Sequence, residues 1–320
     1  MPFYPEEALF SPTENCNLSC RHCTNVKNKT ILSKDIAKKF LAGCKKIGIN
    51  MIGFTGGEPF LAIDFLCGIS RMAVGNDFLF DRVMTNGVWY KNKSDLEGKL
   101  RSLFDAGYDG SICVSVDAFH RQDLKKIACF IKTASVLSGR PDIVSIACVR
   151  GALDSVTEKK MSGLAALLEG RLDGFRTNHP HIKAEKFFIR IYNIELSPIG
   201  RASKLKDPWD GKWFREDYCK GPGNVFFVTS SGDVKPCCGY ASDLARMTIG
   251  NIRKDSPEKL LKKFHENKLA HAVFNIGLAH LRFRLIKAGV VFPGKTSNHC
   301  FFCRYIMTEV PECVLEKCIR

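Results

Sequence analysis

Residues 14–25 read ENCNLSCRHCTN and follow directly on a short apolar run at residues 8–11. Their three cysteines, Cys16, Cys20 and Cys23, have the spacing C-x3-C-x2-C, and we call residues 16–23 the cysteine loop. Three thiolates from one short loop suit three irons of a 4Fe-4S cluster and leave the fourth iron without a protein ligand. The loop therefore predicts a cluster with one iron open to chemistry.

Two other interpretations of the cysteine loop stay open at this point. The three cysteines could form a zinc site with His22 as the fourth ligand, or they could be unrelated to one another. Zinc sites usually repeat a paired C-x2-C motif, which this spacing lacks. The spacing therefore favours the iron-sulfur cluster.

A second motif, GFTGGEPFL at residues 53–61, follows the next apolar run. Adjacent glycines, Gly56 and Gly57, let a backbone approach a ligand closely. Glu58 offers a carboxylate to an ammonium group. Taken alone, the motif is more typical of a tight turn between a strand and a helix than of a binding site.

The first two thirds of the chain alternate between apolar runs rich in β-forming residues and segments of helical period. The predicted strands lie at residues 8–11, 51–55, 82–85, 112–116, 143–149 and 187–192. The predicted helices lie at residues 33–48, 61–72, 94–104, 122–137 and 157–168. A repeat of roughly 30 residues indicates βα units and a parallel sheet. The fold class is thus α/β, with an architecture that resembles a barrel but has fewer than eight repeats.

The pattern changes after residue 194, where SPIGRASKLKDPWDGKW is rich in proline, glycine and lysine. We place the boundary between two predicted domains near residue 205, giving domains at 1–205 and 206–320. The second domain is expected to contain a hairpin at residues 225–235, a helix at 257–267 and an amphipathic helix within 269–292.

Composition narrows the classes of function. The 320 residues are 45% hydrophobic and 25% charged, which is typical of a globular protein. No secretory signal is visible, and polar side chains interrupt the apolar stretch at 269–292, so we expect a cytoplasmic protein without a membrane span. In that compartment the fifteen cysteines indicate metal or redox groups rather than disulfides. The net charge of +15 comes without a nucleic-acid-binding signature, so we expect no nucleic-acid partner.

Together, C-x3-C-x2-C after the first strand and GGEP after the second resemble the radical S-adenosylmethionine (SAM) superfamily. The resemblance implies a partial (β/α)6 TIM-like barrel that binds SAM at the open iron and receives its amino group at the GGE segment. Reductive cleavage of SAM then yields a 5′-deoxyadenosyl radical, which abstracts hydrogen from a substrate. The resemblance also implies a reducing partner such as a flavodoxin or a ferredoxin.

Three polar residues stand at strand ends where this family contacts its cofactor. Asn86 follows the third strand, and Ser115 and Asp117 follow the fourth. Side chains at the carboxyl ends of parallel strands converge on one mouth, so the resemblance makes these residues candidate SAM contacts. The alternative for each residue is that it is an ordinary polar residue of a turn and does not contact a cofactor.

The late cysteines are similar to those of SPASM and twitch extensions, which carry auxiliary iron-sulfur clusters. They are Cys219, Cys237, Cys238, Cys300, Cys303, Cys313 and Cys318, with Cys219 and Cys237 in a C-x12-G-x4-C pattern. A single auxiliary 4Fe-4S cluster on Cys219, Cys237, Cys300 and Cys303 is favoured over two, because the gaps after Cys303 do not fit a full SPASM pattern. Cys313 and Cys318 then stay unassigned.

The order of motifs most resembles twitch-type radical enzymes that epimerise residues of ribosomal peptides. In that interpretation Cys238 is the catalytic residue, returning a hydrogen atom to the opposite face of a peptide α-carbon. This chain lacks the acid those enzymes carry after the first auxiliary cysteine, and Asn224 is the nearest polar residue. The alternatives are a peptide maturase that forms thioether or carbon-carbon cross-links or rearranges a side chain, and an iron-sulfur redox carrier.

Overall fold

The computed structural model describes residues 4–151, 153–215, 219 and 223–319. Its strands are β1 (Glu7–Phe10), β2 (Met51–Phe54), β3 (Leu79–Thr85), β4 (Ser111–Ser115), β5 (Val144–Arg150), β6 (Gly170–Asp173), β7 (His181–Ala184), β8 (Phe188–Glu195), β9 (Gly223–Val228), β10 (Asp233–Cys237) and β11 (Gly250–Asn251). Its α-helices are α1 (Lys34–Lys46), α2 (Ile63–Val74), α3 (Lys93–Asp105), α4 (Leu124–Ser138), α5 (Asp154–Leu167), α6 (Pro257–Glu266), α7 (Lys268–His271), α8 (Leu278–Lys287), α9 (His299–Thr308) and α10 (Glu312–Cys318).

One compact unit comprises Phe10–Lys34 and Met51–Leu196. Its strands β2, β3, β4, β5 and β8 are neighbours in that order and are all parallel. The prediction of an α/β fold on a parallel sheet is therefore confirmed, and each of the six predicted strands overlaps an observed one. Because the strands are parallel, the ends of β2, β3 and β4 lie at one edge of the sheet, as the candidate site requires.

A small antiparallel extension continues this sheet beyond β8. Strands β7 and β6 follow in that order, and both pairings are antiparallel. The sequence did not predict this hairpin, because each strand has four residues and half or more of its side chains are not apolar.

The second compact unit comprises the residues up to Leu9, the segment Asp35–Asn50, and the chain from Ser197 onward. Its strands are ordered β11, β10, β9 and β1, and β10 pairs antiparallel with both neighbours. The predicted hairpin appears here as β9 and β10. Helix α1 belongs to this unit by non-local contacts, such as Phe40 against Phe226 with ring centroids 6.0 Å apart. Such contacts leave no local sequence pattern, and the predicted boundary lies eight residues after Ser197.

The prediction of one amphipathic helix within residues 269–292 is wrong. Helix α7 is followed by a π-helical turn at Ala272–Ile276, and α8 starts afresh after Gly277. Gly277 has φ +97°, a backbone angle that a helix cannot contain and that glycine adopts readily. None of the helices described in the structure is long and apolar enough to cross a bilayer.

Candidate functional site

The cysteine loop leaves the first strand and holds its sulfur atoms by local backbone bonds. The backbone N–H of Leu18 donates to Cys16 Sγ at 3.4 Å, and that of Asn25 donates to Cys23 Sγ at 3.4 Å. All three cysteines are partly exposed. Burial raises the pKa of the Cys16 thiol, and the Leu18 N–H opposes that shift by stabilising a thiolate. Such N–H donors suit thiolates that carry the charge of a bound cluster, so the residues present fit a cluster bound by three cysteines.

The GGEP segment lies directly against the cysteine loop. The N–H of Gly57 donates to the Thr13 carbonyl at 2.9 Å, and the N–H of Glu58 donates to the Asn15 carbonyl at 2.8 Å. A Cβ atom at Gly57 would come within 2.2 Å of that Asn15 oxygen, and Gly56 has φ +126°. The close approach that the glycines permit is thus to the backbone of the loop, while their contact with SAM stays a prediction.

Glu58 is fully buried and its carboxylate accepts three hydrogen bonds. Thr85 Oγ1 donates to Oε1 at 2.8 Å, the N–H of Phe60 donates to the same oxygen at 3.2 Å, and the N–H of Asn86 donates to Oε2 at 2.7 Å. Burial nevertheless raises the pKa of Glu58 to about 7. The carboxylate therefore fastens the end of β3 to GGEP, and its contact with an ammonium group stays a prediction.

Asn86 joins the end of β3 to the cysteine loop. Its Nδ2 lies 3.7 Å from Cys16 Sγ and donates to Asn17 Oδ1 at 2.8 Å. Its Oδ1 accepts from the N–H of Val88 at 2.9 Å. The structure thus brings together Cys16, Glu58 and Asn86, which the sequence singled out separately.

Gln122 was missed by sequence reasoning and braces two strand ends. Its Nε2 donates to the carbonyls of Asn86, at 2.8 Å, and of Ser115. Its Oε1 accepts from Lys160 Nζ at 3.4 Å. Gln122 is buried just before α4. In the sequence this position is typical of the start of a helix, so nothing marks it as part of a site. Ser115 is therefore held beside Asn86, as the predicted pair of SAM contacts requires.

Asp117 is buried and takes part in a different set of contacts. Its Oδ1 accepts from the N–H of Phe119 at 2.8 Å and lies 2.8 Å from His120 Nδ1, while Oδ2 accepts from the N–H of Val149 at 3.2 Å. Burial alone would raise the pKa of Asp117, but the hydrogen bond and charge of His120 outweigh it, and the pKa is lowered. The His120 ring lies 4.6 Å from that of His22. Asp117 thus orients a histidine beside the cysteine loop, and its contact with SAM stays a prediction.

The four predicted auxiliary ligands meet in the second unit. Cys219, Cys237, Cys300 and Cys303 line one small cavity, together with His299 and apolar side chains from α8 and the π-helical turn. Burial raises the pKa of Cys300 to about 11, and it raises that of Cys237 and Cys303 as well. Four convergent thiols in an apolar cavity fit a cluster whose irons are all bound by protein. Their role as ligands stays a prediction.

The remaining late cysteines differ in exposure. Cys238 is exposed, yet protein atoms around its sulfur and the charge of Glu7 raise its pKa to about 12. Cys313 is exposed on α10, while Cys318 is buried. Asn224, which follows Cys219 by five residues, accepts a hydrogen bond from the N–H of Tyr4 at 3.2 Å.

Comparisons with known proteins agree with this geometry. Residues 10–136 match the model of the radical SAM superfamily, and residues 219–279 match the SPASM iron-sulfur cluster-binding domain. YydG of Bacillus subtilis (strain 168), a protein named for peptide biosynthesis, is 25% identical over 279 residues, which cover 83% of this chain and 79% of YydG. A GTP 3′,8-cyclase of Aeromonas hydrophila subsp. hydrophila is 28% identical over 272 residues, 76% of this chain and 75% of the cyclase. The structure of anSMEcpe with bound AdoMet and Cp18Cys peptide shares the fold, with a TM-score of 0.56 and 16% identity over 85% of each chain.

Proposed function

Because the chain belongs to the radical SAM superfamily and carries an iron-sulfur cluster-binding SPASM domain, we propose that it abstracts a hydrogen atom from a residue of a ribosomally made peptide. It is a radical SAM enzyme whose cofactors are SAM and 4Fe-4S clusters. When bound, these cofactors supply the hydrogen-abstracting radical. The name of YydG, which assigns that relative to peptide biosynthesis, supports a peptide as the substrate.

One observation carries the proposal: the cysteine loop, GGEP and Asn86 form a single bonded structure. The loop leaves three thiols to bind metal, and Asn86 Nδ2 reaches Cys16 Sγ. Two backbone bonds hold Gly57 and Glu58 against the loop. A simple electron carrier needs the thiols alone, whereas this arrangement adds a rigid polar edge beside them on which a small molecule such as SAM can be oriented.

We further propose that the reaction is epimerisation and that Cys238 returns the hydrogen atom. Removing the α-hydrogen of a peptide residue leaves a carbon radical, and the Cys238 S–H then gives one hydrogen atom to the opposite face. The resulting thiyl radical is restored by one electron and one proton, the electron coming from the reducing partner. The exposure of Cys238 supports this role, because a peptide can reach its thiol, which is protonated at neutral pH.

Heavy water tests this proposal directly. The thiol proton of Cys238 exchanges with solvent, so turnover in deuterium oxide should add one deuterium to the modified residue and change the mass in no other way. Cys238→Ala should still form 5′-deoxyadenosine but leave no D-residue, and Cys313→Ala, which changes another exposed cysteine, should behave as the wild type.

Two outcomes would favour the other interpretations. A product that has lost two hydrogens would support a cross-linking maturase; the missing acid after Cys219, where Asn224 is the nearest polar residue, weakens the case for epimerisation. A reduced, reconstituted protein that forms no 5′-deoxyadenosine from SAM would support an iron-sulfur carrier.

The proposed reaction needs a low-potential electron, and we propose a flavodoxin or a ferredoxin as its source. We place the protein in the cytoplasm, because a reducing compartment keeps the predicted cluster ligands available as thiols rather than as disulfides. Fractionation of the native host, followed by detection of the protein with an antibody, would check this location.

A further inference from the structure

A groove of about 610 Å³ runs between helices α3 and α4 of the parallel-sheet unit, and its lining includes neither the cysteine loop nor GGEP. We call it the α3–α4 groove. Four basic side chains line it, and its apolar part includes Cys129 and Val136; the basic residues are Lys93, Arg101, Lys125 and Lys132. Val136 is 78% exposed, so its apolar side chain is available to a partner. An apolar patch rimmed by charges has the anatomy of a protein-binding surface.

The groove has a clear excess of positive charge. Glu97 is the one acidic residue that lines it, and it pairs with Lys93 at 3.5 Å. Among the described residues, Arg101 and Lys125 take part in no ion pair. Helices α3 and α4 each connect two neighbouring parallel strands, so they run in the same direction and begin at the same end, where their dipoles add partial positive charge. The groove is complementary to an acidic partner.

A continuous line of contacts leads from the groove to the cysteine loop. Tyr90 Oη donates to the carbonyl of Lys126 at 2.8 Å, one residue after the groove residue Lys125, and Trp89 packs on Tyr90 with ring centroids 5.8 Å apart. The carbonyl of the preceding residue, Val88, accepts from Asn17 Nδ2 at 3.1 Å within the loop. Two residues earlier, Asn86 Nδ2 lies 3.7 Å from Cys16 Sγ. The segment 86–90 therefore bridges the groove and a predicted cluster ligand through bonded and packed atoms.

We propose that the α3–α4 groove docks the acidic protein that reduces this enzyme, and that the electron crosses through segment 86–90 to the cysteine loop. The inference rests on the proposed function. The partner is a flavodoxin-type carrier that loses one electron as the cluster gains one. A reductant fits better than the peptide substrate, because an electron can cross packed side chains whereas a reacting peptide residue must itself reach the cofactor.

The test uses the cluster-loaded enzyme with a purified flavodoxin. Three groove charges are reversed together in Lys93→Glu, Arg101→Glu and Lys125→Glu, all of them exposed side chains. The dissociation constant, measured by calorimetry, should rise at least about tenfold, and wild-type affinity should fall as salt is added. Formation of 5′-deoxyadenosine with limiting flavodoxin should fall in parallel, while formation with dithionite, which needs no docking, should not change.

A matched control reverses the same amount of charge elsewhere, through Lys39→Glu, Lys295→Glu and Lys317→Glu, which are also exposed. This control should bind flavodoxin within about twofold of the wild type. A further variant, Val136→Glu, tests the apolar part of the groove, and its exposure means that the fold should tolerate the change. It should weaken flavodoxin binding about fivefold.

Several results would overturn the proposal. Unchanged flavodoxin affinity in the groove variant, or an equal loss in the control, would show that the groove is not the docking site. A raised KM for peptide in dithionite-driven turnover would assign the groove to the substrate instead. If the wild type forms no 5′-deoxyadenosine even with dithionite, the proposed function fails, while the binding measurement still decides whether the groove binds flavodoxin.

Discussion

The two cysteine sites of this protein are built in opposite ways. The cysteine loop draws three partly exposed thiols from eight consecutive residues, and polar backbone and amide groups support them. The cavity of the second unit draws four thiols from three segments spread over more than eighty residues, and two of these thiols, Cys237 and Cys303, are buried among apolar side chains. The three thiols of the first site are predicted to leave one iron of a cluster without a protein ligand, and the four thiols of the second site are predicted to leave none.

Because of this difference, we expect damage to the cysteine loop to affect the reaction and damage to the cavity of the second unit to affect stability. A loop that relies on local hydrogen bonds can lose its metal while the rest of its unit stays folded. A cavity that relies on burial joins distant parts of the chain, so its metal is coupled to folding. Variants of the two sites should therefore differ in whether they lose the reaction or the stability of the fold.

Replacing one loop cysteine should abolish the reaction and leave the fold intact. We expect Cys20→Ser to reduce 5′-deoxyadenosine formation by at least about a thousandfold and to remove about four irons per chain, because a 4Fe-4S cluster on three thiols loses a ligand that it cannot replace. Iron analysis, product chromatography and circular dichroism would measure the three effects. The exposed Cys313→Ser is the control, and equal product formation in both variants would contradict the assignment.

Replacing a cavity cysteine should lower the stability of the fold and leave the cleavage of SAM intact. We expect Cys303→Ser to lose about four irons, to lower the thermal unfolding temperature and to retain 5′-deoxyadenosine formation, because the cavity binds its metal in the core of the second unit. Cys44→Ser changes a buried cysteine of the same unit outside the cavity. It should keep its iron, so the comparison separates the effect of metal loss from that of burying a hydroxyl. A Cys303 variant with full iron content would remove Cys303 from the ligand set.

The glycines of GGEP test how tightly the loop is supported. In Gly57→Ala the new Cβ would lie 2.2 Å from the Asn15 carbonyl oxygen and 2.6 Å from that of Glu14, so backbone has to move. We expect a loss of about 3 kcal/mol in the free energy of unfolding, measured with urea, together with a lower iron content. Gly98→Ala, in α3 with no atom within 4 Å, should instead gain up to about 1 kcal/mol. A stable, iron-replete Gly57→Ala would show that the loop is not held by this contact.

The contrast also explains how far the sequence could predict the site. The cysteine loop and GGEP are local motifs, and the strands before them are short apolar runs, so residue spacing alone indicates both. Gln122 acts through hydrogen bonds to the carbonyls of Asn86 and Ser115, and the Asn86 carbonyl becomes its neighbour only in the folded sheet, so no periodic pattern marks Gln122. The Asp-x-x-His spacing of Asp117 and His120 is the one local signal that could have pointed to their pairing.

Two larger features of the fold were also not predictable from local sequence patterns. The placement of α1 with the second unit depends on contacts such as Phe40 with Phe226, nearly two hundred residues apart. Gly277 looks like an ordinary helix residue until its positive φ is known, which is why a single helix was predicted there. Patterns of hydrophobic residues report which face of an element is buried, and they do not report what covers that face.

The smallest effect concerns Glu58, whose buried carboxyl lies beside the cysteine loop. Burial raises its pKa to about 7 in the folded protein, above the ordinary value of 4.5. The folded state therefore binds more protons than the unfolded state between these values, and stability falls as pH rises through that window. From about pH 5.5 to about pH 7.5 we expect the wild type to lose about 2 kcal/mol relative to Glu58→Gln, which does not titrate. Urea unfolding of both proteins at each pH would measure this, and a pH-independent difference would mean that the three hydrogen bonds keep Glu58 ionised throughout.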